Sequence, residues 1–108
     1  MNKIKKIAIV GLGQIGNYLY HELTQKRKLI ENKSGKRIKI VAISAKNKNK
    51  KRLFKIDKEI FYSDPIKLLQ NENIDVLFEC MGFSDGISKK VVEMALKKKI
   101  SVITPNKA

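Results

Sequence analysis

Gly11-Leu12-Gly13-Gln14-Ile15-Gly16 fits the string G-x-G-x-x-G, three small residues spaced so that a backbone loop can close on a phosphate. The string alone is common, so its context decides. It follows directly on the β-branched run Ile7-Ala8-Ile9-Val10, and from Gln14 the apolar residues change to a helical period. In a strand–turn–helix of this kind Gly11 allows the tight turn, Gly13 lets the backbone approach a pyrophosphate, and Gly16 lets the helix pack on the strand. The uncapped N–H groups of the first helical turn, those of Gln14 and Ile15 included, then face the phosphates with the positive end of the helix dipole. A glycine turn with no ligand is the plainer alternative, but it has no need of three glycines at this spacing.

A dinucleotide site of this type usually has an acid about 20 residues or more further on, at the tip of the second strand, holding the ribose of NAD. From Asn32 to Ile56 there is no Asp or Glu. Ser44, Ala45 and Lys46 end the strand instead, and Lys48, Lys50, Lys51 and Arg52 follow. Cations gathered there can neutralise a 2′-phosphate, and the Ser44 hydroxyl can donate to it. The expected cofactor is therefore NADP, with NAD possible. The plainer reading is a lysine-rich surface loop.

Other reactive types carry less. His21 lies in the first helix with no Ser, Cys or carboxylate at triad or ligand spacing, which suits surface or packing use. Cys80 has no companion for zinc or redox chemistry and reads as a small buried hydrophobe, although its strand end brings it near a bound cofactor. Glu79 beside it could help to orient the nicotinamide side, or could simply be a solvated or N–H-bonded acid. No metal site is expected.

These residues need a frame of alternating strands and helices. Ile4 and Ile7 to Val10 read as a buried parallel strand, and Ile15, Leu19 and Leu23 predict a helix from Gln14 to about Ile30. Asn32 to Lys36 reads as a polar break, Ile38 to Ile43 as a second strand, and Ile60-Phe61-Tyr62 as a short edge strand. Ser63 or Asp64 before Pro65 suits an N-cap with proline at the first helical position, the helix running to about Gln70. Val76-Leu77-Phe78 predicts a strand. Ser84 or Asp85 can cap a helix with the stripe Ile87, Val91, Met94 and Ala95, and Ile100, Val102 and Ile103 a last strand. Alternation of this kind predicts an α/β fold, a Rossmann-type doubly wound, mainly parallel sheet with helices on both faces, its second half incomplete.

With 108 residues the chain makes one domain, residues 1–108. Its 24 Lys and Arg against 10 Asp and Glu give a net charge of +14, which invites a nucleic-acid reading. The distribution argues against one: lysines run along nearly the whole chain, arginines number three, there is no Trp, and the Phe and Tyr residues do not interleave with the basic ones. The longest apolar run, Ile7 to Gly13, is far below the roughly 18 residues of a membrane span. The basic start is not followed by a cleavage site of small residues, so a cytoplasmic location is expected.

The run Ile7 to Gly13 followed by Gly16, the segment Val41 to Arg52, the strand Val76-Leu77-Phe78-Glu79-Cys80-Met81-Gly82, and above all Thr104-Pro105-Asn106-Lys107-Ala108 resemble the amino-terminal domain of homoserine dehydrogenase. The closing T-x-N-K-A element is the specific part. The resemblance implies NADP-dependent interconversion of L-homoserine and L-aspartate 4-semialdehyde on the route to threonine and methionine. It implies Gly11, Gly13 and Gly16 at the pyrophosphate, and Lys46 where many members have an arginine facing the 2′-phosphate. Lys107 falls on the motif lysine beside the nicotinamide and the reacting carbonyl. Gly82-Phe83-Ser84 departs from the family's paired glycines, and Pro105 replaces the commoner alanine.

The family also has a substrate domain, so the chain reads as its cofactor half, expected to bind NADP(H) weakly by itself and not to turn over homoserine. A self-associated form, or pairing of the open sheet edge with the missing segment, is the expected partnership. Competing readings are another amino-acid-pathway oxidoreductase and an NADP(H) sensor without chemistry. A sensor has no use for an ammonium at Lys107.

Overall fold

The computed structural model describes residues 4–81 and 86–104. The strands are β1 (Ile4–Val10), β2 (Arg37–Ser44), β3 (Phe61–Tyr62), β4 (Val76–Glu79) and β5 (Ser101–Ile103), and the helices α1 (Gln14–Gln25), α2 (Arg27–Ser34), α3 (Pro65–Asn71) and α4 (Gly86–Lys97). They build one sheet in the order β3-β2-β1-β4-β5, every neighbouring pair parallel. The doubly wound α/β fold is therefore the one expected, with β4 and β5 as the described strands of the second half.

Alternation along the strands sends side chains to two layers. Ile7, Ile9 and Ile43 face α1, meeting Leu19, Tyr20 and Leu23. Ala8, Val10, Ala42 and Leu77 face the opposite side, covered by Leu68 and Leu69 of α3 and Val91 and Ala95 of α4. An irregularity in the β1–β2 register between Ile7 and Ala8 shifts the phase of β2, so consecutive Val41 and Ala42 both pack on the α3–α4 side.

Three local differences from the expected elements have physical reasons. Helix continues past Ile30 through the supposed polar break, and Gly35 in a left-handed conformation closes it after Ser34. α2 buries no residue, so hydrophobic period could not reveal it. Its support is polar: Glu31 accepts from the Arg27 side chain at 3.1 Å and from the Ile38 N–H of β2 at 3.1 Å. The helical run is also divided, with Lys26 outside helical geometry between α1 and α2. Finally, the edge strand is shorter than Ile60–Tyr62, since Lys58–Ile60 forms a 3-10 turn before it.

Asp64 is the N-cap of α3, its side chain accepting from the Ile66 N–H at 2.9 Å, and Pro65 opens the helix. The caps proposed at Ser84 or Asp85, the turn Gly82-Phe83-Ser84, and Pro105 and Lys107 lie outside the described residues.

Candidate functional site

β1 lies between β2 and β4, so the connections leaving its carboxyl end and those of its neighbours part to opposite faces of the sheet. In open α/β sheets that point forms a crevice. Here a cleft of about 450 Å³ opens, lined among others by Gly11, Gly13, Ser44, Lys46, Lys50 and Cys80.

Gly11 turns the chain out of β1 with φ of 94°, a conformation that an L side chain rarely adopts. Its N–H donates to the Ser44 carbonyl at 2.7 Å, while the Cys80 N–H donates to the Val10 carbonyl at 2.7 Å. A Cβ on Gly11 would come within 2.7 Å of the Cys80 carbonyl carbon and 2.8 Å of the Met81 nitrogen. Gly16 is tighter still, its Cβ position 1.9 Å from the Gly11 carbonyl oxygen. Both positions therefore need glycine for packing. Gly13 is different: a Cβ there would meet nothing within 4 Å. Gly13 is also the N-cap of α1, no side chain caps that end, and the first turn holds no acid. The first-turn N–H groups of a helix have no partner inside it.

The second wall is the segment after β2. Lys46, Asn47 and Lys50 line the cleft, and among the described residues no carboxylate does. Arg52 lines it too, but its guanidinium turns back on its own loop, donating to the Asn47 carbonyl at 2.6 Å and the Lys50 carbonyl at 3.2 Å. The chain beyond is clasped to α1. The Asn17 side chain donates to the Phe54 carbonyl and accepts from the Phe54 N–H, each at 2.9 Å, and the Tyr20 hydroxyl accepts from the Asp57 N–H at 3.1 Å. His21 stacks on Phe54 with ring centroids 3.7 Å apart, the packing use expected of it.

The structure thus gathers Gly11, Gly13, Ser44, Lys46 and Cys80 at one cleft. Gln14, Ile15 and Gly16 are not in its lining: the first two are exposed in the opening turn of α1, where their backbone is what they offer, and Gly16 packs underneath. Ser44 is 1% exposed, and its hydroxyl is buried with no partner among the described residues, so it is not presented as a donor in this arrangement. Burial pushes the Cys80 thiol up to about 12, the adjacent Glu79 acting in the same direction, and the thiol is therefore neutral and inert near pH 7. Glu79 is N–H-bonded rather than solvated: it is fully buried and accepts from the Met81 N–H at 2.7 Å.

Ser63, Pro65, Met81 and Ile87 also line the cleft and were not singled out as site residues. The signal for the first two was the cap before α3, which sits at the carboxyl edge of the sheet. Among the described residues no helix is long and apolar enough to cross a membrane.

A family profile described as "Homoserine dehydrogenase, NAD binding domain" matches residues 11–108. The homoserine dehydrogenase of S. aureus, in its crystal structure at pH 7.5, superposes with a TM-score of 0.86 at 31% identity over 96% of this chain and 26% of that one. Its structure at pH 8.5 gives 0.86 at 31% over 99% and 27%. The homoserine dehydrogenase from Thiobacillus denitrificans, at 21% identity and a TM-score of 0.76 over 96% of this chain and 24% of that one, is a likeness of fold. A search of curated proteins returned no match. The chain spans about a quarter of the length of these solved relatives.

Proposed function

The chain belongs to the homoserine dehydrogenase NAD-binding-domain family, and on that premise we propose that it is the cofactor-binding part of an enzyme interconverting L-homoserine and L-aspartate 4-semialdehyde with NADP(H). The observation that carries this reading is the shared cleft, in which a glycine turn and an acid-free, lysine-bearing segment face the same space.

The residues fit a dinucleotide. The open space at Gly13 suits the approach of a pyrophosphate, and the uncapped start of α1 offers the N–H groups of Gln14 and Ile15 to it. Lys46 and Lys50 hold the 2′-phosphate, as point charges rather than as a planar fork. Cys80, neutral, forms part of the wall and takes no part in electron transfer. The chemistry that the bound cofactor supplies is hydride transfer between alcohol and aldehyde. Lys107, assigned on the T-x-N-K-A element, sets its ammonium at the substrate carbonyl oxygen, where it stabilises developing charge or passes a proton.

Titration of the purified 108-residue chain with NADPH and NADH tests the cofactor assignment. NADPH binds more tightly, and equal or tighter binding of NADH refutes the role given to Lys46 and Lys50. By itself the chain binds NADP(H) weakly and does not oxidise homoserine; robust NADP-dependent oxidation by the chain alone would refute that part.

A further inference from the structure

Glu79 is the buried acid to which the cofactor reading assigns no task. It ends β4, paired with Val10, and is fully buried. By strand alternation from Leu77 it faces the α3–α4 layer. One carboxyl oxygen accepts from the Met81 N–H, and the other has no partner among the described residues. Ser88, in the first turns of α4, is likewise buried with an unpartnered hydroxyl.

A buried carboxyl with one oxygen unsatisfied is a cost to folding, and a well-packed apolar side chain in the same space removes that cost. The bond from the Met81 N–H offsets part of that cost, so the net gain to fold stability from an acid at this position is small. The peptide that it holds gives the stronger reason. The Cys80–Met81 peptide is the floor beneath Gly11, whose Cα lies so close that an added Cβ would meet Cys80 and Met81 backbone atoms at 2.7 to 2.9 Å. That peptide is tied at two points, by the Cys80 N–H to the Val10 carbonyl and by the Met81 N–H to Glu79. The first tie belongs to the sheet; the second depends on one side chain.

We infer that Glu79 is a positioning residue for the dinucleotide site, its carboxyl fixing the Cys80–Met81 peptide on which the Gly11 turn rests. The inference depends on the cleft being the cofactor site. It requires an acceptor at this position rather than a charge, and it separates cofactor affinity from stability.

Glu79→Gln and Glu79→Leu in the 108-residue chain separate these roles, with NADPH affinity, the thermal midpoint and hydrogen exchange of the Met81 amide as readouts. Gln retains an acceptor oxygen, so NADPH binding stays within about twofold and the Met81 amide stays protected. Leu removes the acceptor, so NADPH binding weakens about tenfold and the Met81 amide exchanges faster, while the thermal midpoint moves little, the lost Met81 bond being offset by removal of the unsatisfied carboxyl oxygen. A Leu variant that binds NADPH like the parent, or that loses affinity only together with its thermal midpoint, overturns the inference. Should the parent chain bind no NADPH, the cofactor reading fails, and Met81 exchange still decides the tie: protection unchanged in the Leu variant overturns it.

Discussion

Of the two walls of the cleft, the glycine wall is backbone packed on backbone, whereas the lysine wall is loop held by side chains reaching for its backbone. At the first, Gly11 and Gly16 sit against neighbouring main chain with no room for a methyl group, and β1 is bonded to β2 and β4 on either side. At the second, Arg52, Asn17 and Tyr20 supply the ties, and beyond β2 the chain has no regular structure until the turn at Lys58. The difference suits the two tasks. On the proposed reading, a pyrophosphate common to every dinucleotide would be met by geometry that side chains cannot alter, and the feature that distinguishes one dinucleotide from another would be met by residues that can be exchanged without disturbing the sheet.

The largest effects should come from breaking the first wall. In Gly16→Ala the methyl group would lie 1.9 Å from the Gly11 carbonyl oxygen, and neither partner is a flexible side chain. A loss of about 3 kcal/mol of stability, at the upper end for overpacking, is expected in urea unfolding, with NADPH binding lost alongside. Gly13→Ala is the matched control, because its methyl group meets nothing in the protein. Its stability should stay within about 1 kcal/mol of the parent while NADPH affinity falls about tenfold or more. If both variants lose stability equally, the division between a packing glycine and a ligand-facing glycine is wrong.

Breaking the second wall should cost less. Asn17→Ala removes both hydrogen bonds that a buried side chain makes to the half-buried Phe54, for a loss of about 1–2 kcal/mol. The loop carrying Lys46 and Lys50 is then held at its far end by Tyr20 and by the stacking of Phe54 on His21. Faster amide exchange at Phe54 and Asp57, with α1 and β1 unchanged, would confirm that the wall loosens without the sheet; exchange rising together in both would show the walls to be one unit.

This contrast also explains what could be read from the residues alone. The glycine wall was legible because a tight turn, a close approach and a helix start each demand a particular residue type, and the types stand at fixed spacing. The parallel, doubly wound sheet followed from strand–helix alternation. In the lysine wall the absence of acid was legible, but the ties were not: Asn17 meets Phe54 across 37 positions, and neither residue type announces the pairing. Arg52 shows the same limit. As a cation beside four lysines it reads as one more charge for a phosphate, and only the fold reveals that it spends its donors on its own loop. Glu79 likewise reads as a strand-end acid until Met81 and the Gly11 turn are seen above and beside it.

The smallest expected effect is the most discriminating for the second wall. Arg52→Lys preserves the charge and removes the fork. The guanidinium reaches the Asn47 and Lys50 carbonyls together, with a longer contact to Lys48 at 3.5 Å, which one ammonium on a flexible stem does not reproduce. Fold stability should change by no more than about 0.5 kcal/mol, since the loop is exposed and lies outside the packed layers. On the proposed reading NADH affinity should not move, because NADH lacks the 2′-phosphate assigned to this wall. NADPH affinity should fall by about threefold, as expected if Lys46 and Lys50 keep their charge but lose a fixed place. Parallel titrations with the two cofactors read this directly. An unchanged preference would mean that lysine charge alone makes the wall, and that the Arg52 fork serves only the loop.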